Sequence, residues 1–269
     1  MKLLLLIIIS VLTFSANGQI VTNSQFERNL YLAEVKQVDE FIGRFNNEKF
    51  HINIDTLKSE YKENNLLSLF NLEIFKVASD SALSAATAFI KTVVDSDVKI
   101  NYEDTLWFAK APCHGKLKGK NVDFTLYLNV EHRREDMYKW VVSKAEGDIL
   151  KLTPSRTSDR IMIMPDDHEI NFMTLKEITT QNKDYITNFK QKYFDVDETS
   201  VFYSLVYYGL LEIDYVKDLE FTFYQVPGYV FHIKYFNRET SNSGWLIDRY
   251  EKMSDVEKQE MLTQLFNQK

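Results

Sequence analysis

Strict alternation of apolar and polar residues marks one segment of the chain as a β-strand. Its apolar positions, two residues apart, are Val122, Phe124, Leu126, Leu128 and Val130. Polar and charged residues occupy the positions between them, and this period of two is typical of a half-buried antiparallel strand. Gly115 and Gly119 precede the segment and predict a hairpin with the strand before it. The run EHRRED that follows is interpreted as a charged loop, and YKWVVSKAEG as a third strand.

Helical periodicity precedes this three-stranded meander. The first helix is predicted from apolar residues at helical spacing: Phe26, Leu30, Val38, Phe41, Ile42 and Phe45. A second helical stretch covers about 56–76. Asp80 or Ser81 begins a third helix, which ends before Asp95. The first unit is therefore predicted to be three helices followed by three strands.

The same order of elements recurs later in the chain. Residues 97–147 are matched by residues 211–251, where a long aromatic strand, an alternating strand and a tryptophan-bearing strand follow one another. The tryptophans are Trp140 in the first block and Trp245 in the second. Each has apolar neighbours at alternate positions, so we expect both to be buried in the core.

Helices are also predicted around the second block. One begins at 166–169 (DDHE), which is interpreted as a helix cap and not as a metal site, because consecutive side chains at a helix start diverge. Another covers about 198–210, and a last one covers 254–267 with a capping box at its start. The sequence thus predicts an α+β fold of two tandem units, 19–152 and 153–269, each with helices packed on a curved antiparallel sheet.

The first eighteen residues predict export. Lys2 precedes an apolar stretch at 3–14, and Ala16-Asn17-Gly18 places small residues before Gln19. Twelve apolar residues are too few to cross a bilayer, so residues 1–18 are interpreted as a cleaved signal peptide. We expect a periplasmic or secreted protein without stable membrane insertion.

The net charge indicates which partners are expected, and the cysteine content indicates whether disulfides can stabilise the fold. Lys and Arg number 32 against 39 Asp and Glu, a net charge of −7. Nucleic-acid binding requires a basic surface, so we expect no nucleic-acid partner. Cys113 is the single cysteine, which excludes an intramolecular disulfide. Stability must therefore come from the apolar core, to which 15 Tyr and 19 Phe contribute.

The strand at 138–140 (YKW), echoed at 244–247 (GWLI), resembles the closing strand of the nuclear transport factor 2-like, cystatin-like superfamily. This resemblance implies a curved sheet that wraps a long helix and forms a cone with an open mouth. With FIGRFNNE, PDDHEINFM and QVPGYVF, the whole chain also resembles secreted Bacteroidetes proteins that have no assigned function. The resemblance transfers no functional residues, because the fold hosts enzymes, binding proteins and scaffolds.

His232, in the strand YVFHIKYF, is the catalytic candidate. Alternation places it on one face with Val230 and Lys234, and if that face lines a cone it acts as an acid or base near Tyr224 or Glu220. A histidine in a strand is, however, more often hydrogen-bonded or solvent-facing than catalytic. No motif for a serine hydrolase, zinc peptidase, phosphate loop or dinucleotide site occurs, so neither a cofactor nor a metal is expected.

The adjacent pair Cys113-His114 is the other combination of a nucleophile with a base. Neighbouring side chains on an extended chain point apart, so the pair is interpreted as a buried thiol beside a turn histidine.

Three functional hypotheses follow. The favoured one is an exported noncatalytic module that binds a small apolar ligand or a protein partner through its curved sheet. The second is a cavity enzyme that uses His232 and a carboxylate for proton transfer. The third is a cell-envelope structural or assembly protein that forms a homodimer. A cavity with convergent polar groups favours the enzyme, and a filled cone with an exposed apolar face favours an assembly role.

Overall fold

Seven antiparallel strands form one open sheet. The computed structural model of the chain describes residues 37–48, 59–77, 80–134, 137–151, 196–239 and 242–266, with isolated positions between 176 and 194. The strands are β1 (Trp107–Leu117), β2 (Lys120–Arg134), β3 (Met137–Glu146), β4 (Leu211–Val216), β5 (Glu220–Phe223), β6 (Tyr229–Phe236) and β7 (Gly244–Lys252). The predicted signal peptide at 1–18 and the predicted helix start at 166–169 lie outside the described residues.

The two meanders are joined edge to edge. The strand order is β3-β2-β1-β5-β6-β7, and β4 pairs with the part of β1 that extends beyond β5. The central pairing sets Trp107 opposite Phe223 and Lys110 opposite Glu220. Four register shifts, in three of the strand pairs, bend and twist the sheet. The predicted α+β class with helices on a curved antiparallel sheet is confirmed, whereas the two tandem units, 19–152 and 153–269, stay a prediction.

Helices cover both faces of this sheet. Their described bounds are α1 (Val38–Phe45), α2 (Ser59–Ser68), α3 (Leu72–Val77), α4 (Asp80–Asp95), α5 (Glu198–Tyr207) and α6 (Asp255–Phe266). The first four pack on the face that carries Trp107, and α5 packs on the same face farther along β1, where Phe202 contacts Phe124. On the opposite face, α6 packs through Phe266 on Phe108.

Stacked aromatic rings fill the first face. The ring of Trp107 lies 5.1 Å from that of Phe223, and Phe223 lies 4.9 Å from Phe231. Phe45 of α1 completes the stack at 5.6 Å from Phe231. All four side chains are buried. The space between the helices and the centre of the sheet is thus occupied by side chains.

The prediction of two buried tryptophans is correct for Trp245 and wrong for Trp140. Trp245 is 8% exposed and lies 4.8 Å from the ring of Phe221. Trp140 is 38% exposed because β3 is an edge strand, and one side of its ring contacts the core through Trp107 at 5.2 Å and Phe221 at 6.1 Å. Trp107, which the alternation pattern did not single out, is the fully buried tryptophan.

The single helix predicted over 56–76 is broken in the structure, where α2 and α3 are separated by residues 69–71. There the chain leaves the helix and forms a parallel bridge between Phe70 and Ile247 of β7. The side chain of Asn242 accepts from Leu72 N and donates to Ser68 O, so it joins the two helix ends. The partners of the break lie about 170 positions away in sequence, which is why local periodicity did not reveal it.

Other boundaries follow the predicted caps. The Asp197 carboxylate accepts from Ser200 N at 2.7 Å at the start of α5. Ser254 and Glu257 form the predicted capping box of α6. The predicted loop EHRRED is mostly strand, since β2 continues to Arg134. Long charged side chains at the end of an edge hairpin remain in solvent while their backbone pairs.

Candidate functional site

His232 lies in a cluster of polar side chains on the face covered by α6. Antiparallel pairing places Thr222 of β5 and Arg249 of β7 on either side of it. Its Nδ1 is 2.9 Å from Thr222 Oγ1, 3.3 Å from Arg249 Nη2 and 3.4 Å from Glu220 Oε1. The predicted proximity to Glu220 is therefore observed. Tyr224 directs its hydroxyl elsewhere, to Met261 Sδ at 3.5 Å.

Glu220 is the electrostatic centre of this cluster. Burial opposes its ionisation, but the hydrogen bond with His232 and the charges of Arg249 and Lys234 outweigh burial and lower its pKa to about 2. Arg249 Nη2 lies 2.8 Å and Lys234 Nζ 3.5 Å from the carboxylate. The carboxylate is thus ionised and paired at neutral pH.

The arrangement holds the buried His232 ring beside the ion pairs that Glu220 forms with Arg249 and Lys234. The side chain is 11% exposed, and its Nε2 has no hydrogen-bond partner among the described residues, with Glu251 Oε1 at 3.7 Å. General acid–base catalysis needs a substrate within hydrogen-bond reach of the ring. The cavities described below are lined by other residues, so the catalytic role of His232 stays a prediction.

Cys113 and His114 point to opposite faces of β1, as predicted, but His114 lies within the strand and not in a turn. Cys113 is buried, with Sγ 3.2 Å from Ala111 O, and burial raises the pKa of its thiol. His114 Nδ1 contacts Asp123 Oδ1 at 2.7 Å. A thiol kept protonated by burial and separated from its neighbouring imidazole is not an activated nucleophile.

Grooves on the described surface lie elsewhere. One of about 610 Å³ runs beside the start of α5 and includes Glu146, Thr199, Tyr203 and Phe266 in its lining. A second of about 260 Å³ lies between α1, α2 and the end of α4. Within the described part of the chain, no three His, Cys, Asp or Glu side chains gather in a geometry that would hold a metal ion.

Exposed apolar side chains concentrate on α5, the turn after it, and β4. This α5–β4 surface comprises Tyr203, Val206, Tyr207, Tyr208, Ile213, Tyr215 and Val216. Tyr207 is 84% and Tyr208 72% exposed, and their rings contact each other at 5.2 Å. Tyrosines of this kind are enriched in protein interfaces. Charge and motif arguments missed this surface; the only sequence signal was the run of aromatic residues in VFYSLVYYG.

The turn between α5 and β4 exposes these tyrosines. Gly209 adopts a φ of +64°, which ends the helix, and Leu210 N donates to Leu205 O across the turn. Phe202, on the side of α5 that faces the sheet, is buried against Phe124. Tyr207 and Tyr208, at the C-terminal end of the helix, lie outside this contact and stay exposed.

Comparisons with protein-family models, with characterised proteins and with solved structures gave no match to this chain. None of the helices in the described ranges is long and apolar enough to cross a membrane.

Proposed function

We propose that this chain is an exported, noncatalytic module that binds a protein partner through the α5–β4 surface. The supporting observation is the exposure of Tyr207 and Tyr208 beside further exposed apolar side chains of α5 and β4. Such side chains gain contact area on binding at low cost in conformational entropy. Export is proposed from the signal-peptide pattern at 1–18, and membership of the nuclear transport factor 2-like superfamily from the element order, with which the sheet architecture is compatible.

The filled sheet face favours a protein partner over a small apolar ligand. The rings of Trp107, Phe223 and Phe231 occupy the region where a cone-shaped fold would hold a ligand. The polar cluster around His232 is satisfied largely by its own members and supports the enzyme hypothesis less well. Neither the filled sheet face nor the polar cluster accounts for the exposed tyrosines of the α5–β4 surface.

Site-specific photo-crosslinking tests this proposal. A photo-reactive phenylalanine derivative replaces Tyr207, and the matched control carries it at Val256, an exposed apolar position on α6. In an extract of the organism that makes the chain, we expect one protein to crosslink at position 207 and not at 256. Excess unlabelled wild-type chain should compete for that adduct, and a Tyr207→Ser/Tyr208→Ser variant should not.

Equal adducts at the two positions would contradict the proposal. So would equal competition by the wild-type chain and the double variant, because the tyrosines would then not contribute to the contact.

A further inference from the structure

The edges of an antiparallel sheet expose backbone groups that other chains can pair with, and proteins usually cover them. The outer edge of β7 is covered by the break between α2 and α3. There Asn71 N donates to Ile247 O at 2.9 Å, and Ile247 N donates to Leu69 O at 2.7 Å. At Ile247 this edge is therefore covered by backbone from the same chain.

The outer edge of β3 is covered by side chains of α5. Thr199 Oγ1 accepts from Ala145 N at 3.0 Å, and Glu198 Oε2 accepts from Gly147 N at 2.9 Å. Tyr203 donates its hydroxyl to Val142 O at 2.9 Å. Three polar side chains on one helix thus bond to backbone groups in the second half of this strand and just beyond its end.

The outer edge of β4 differs from both. Its inner edge pairs with β1 from Leu211 opposite Leu117 to Val216 opposite Cys113. Among the described strands, β1 is its sole pairing partner, and residues 212–216 are all exposed. The strand carries Ile213, Tyr215 and Val216, which are residue types that favour strand pairing.

We propose that β4 accepts an extended segment of the partner protein as an added strand. This proposal rests on the proposed function, since β4 is part of the α5–β4 surface. Main-chain hydrogen bonds to the open edge would hold the segment, and its alternate side chains would lie beside Ile213 and Val216 on one face and Tyr215 on the other. Strand addition of this kind uses the outer edge of β4, with which no described strand pairs.

Charge disfavours a second copy of β4 as the occupant in the registers that overlap most of the strand. Two-fold antiparallel pairing of β4 with itself centred on Ile213 sets Glu212 against Asp214 of the copy. Centring on Glu212 or on Asp214 sets each acid against its own copy. Like charges directly opposite each other destabilise a strand pair. The occupant is therefore a segment of a different protein that carries Lys or Arg at the position facing Glu212.

Glu212 is the acid that such a residue meets. Asp214 Oδ2 already lies 3.2 Å from Lys116 Nζ on the inner neighbour β1. Glu212 is exposed and lies opposite Lys116 in the register with β1, but the ion pair of Lys116 is formed with Asp214. Opposite charges across neighbouring strands stabilise the strand pair. A partner segment with Lys or Arg opposite Glu212 should therefore bind more tightly than one without it.

The experiment uses the full chain and a capped peptide of alternating lysine and valine. We expect the peptide to bind and to slow hydrogen exchange at the amides of β4. The matching glutamate–valine peptide should bind more weakly, and a lysine–valine peptide with N-methylated valines should not slow exchange, because it lacks the main-chain donors. Glu212→Lys should weaken binding of the lysine–valine peptide about threefold to tenfold. The matched control Glu260→Lys, on α6, should leave it unchanged.

Absence of protection at β4, equal binding of the N-methylated peptide, or equal binding of the two charge types would overturn strand addition. A partner that crosslinks at position 207 while β4 amides stay unprotected in its complex would retain the proposed function and reject this inference. Failure of the crosslink would instead reject the proposed function itself.

Discussion

At the scale of single residues, Glu220 shows how a buried carboxylate is held ionised. Only about a tenth of its side chain is exposed, yet it faces Arg249, Lys234 and His232. Three partners compensate for the loss of water around the charge. Alternation along β6 predicted that His232 lies near Glu220. The position of Arg249 opposite His232, however, is set by a register shift between β6 and β7 at His232 and Ile233. That irregularity has no signature in the alternation pattern.

Glu220 should contribute to stability above its unfolded pKa. Its pKa falls from an ordinary value of 4.5 to about 2 on folding, so the contribution is complete above pH 4.5 and is lost as the pH falls towards 2. We expect Glu220→Gln to lower the free energy of unfolding at neutral pH, and the difference from wild type to shrink between pH 4.5 and 2. Denaturant unfolding across this range measures it. Glu260→Gln on exposed α6 is the control, and a constant difference for Glu220→Gln at all pH values would contradict the assignment.

The three tryptophans should differ in their contribution to stability. Trp107 is fully buried, stacks on Phe223 and donates its Nε1 hydrogen to Tyr102 O at 3.0 Å. Trp107→Ala should cost about 3–5 kcal/mol of unfolding free energy, and Trp245→Ala a similar amount. Trp140→Ala should cost about 1 kcal/mol, because this side chain is partly in solvent. Equal losses for Trp107 and Trp140, measured by denaturant unfolding, would show that exposure on β3 does not govern the effect.

At the scale of elements, local sequence signals predicted the type and the first residue of helices and strands better than their lengths. Asp197 and the Ser254–Glu257 pair marked helix starts because their side chains bond to their own helix. The hairpin at Gly119 was also predicted, since a glycine before an alternating run indicates a turn. The break at 69–71 was not, because β7 and Asn242 impose it from a distant part of the chain.

Asn242 should contribute strongly to the stability of the break between α2 and α3. Its buried amide accepts from Leu72 N and donates to Ser68 O and Phe70 O. Asn242→Ala leaves these groups without their partner and should cost about 2–4 kcal/mol of unfolding free energy. The control Asn237→Ala removes an exposed side chain and should stay within about 0.5 kcal/mol of wild type. Thermal or denaturant unfolding compares the two, and similar small effects would show that other contacts hold the break.

At the scale of the whole molecule, pairing of β1 with β5 joins two predicted meanders into one sheet. The echo between 97–147 and 211–251 predicted both sets of strands and the α+β class. It contained no information on their junction, because Trp107 and Phe223 are brought together only by the folded chain. Nor could it locate the α5–β4 surface, since an aromatic run predicts a buried strand or helix as readily as an exposed one.

The measurement that tests the central claim most directly is the dissociation constant between the purified chain and the partner that crosslinks at position 207. We predict that Tyr207→Ser/Tyr208→Ser raises this constant at least about tenfold, because exposed tyrosines at interface centres carry much of the binding free energy. The control Ile74→Ser/Val256→Ser, which removes exposed apolar side chains on α3 and α6, should leave it within about twofold. An unchanged dissociation constant for the tyrosine variant, with its melting temperature also unchanged, would contradict binding through the α5–β4 surface.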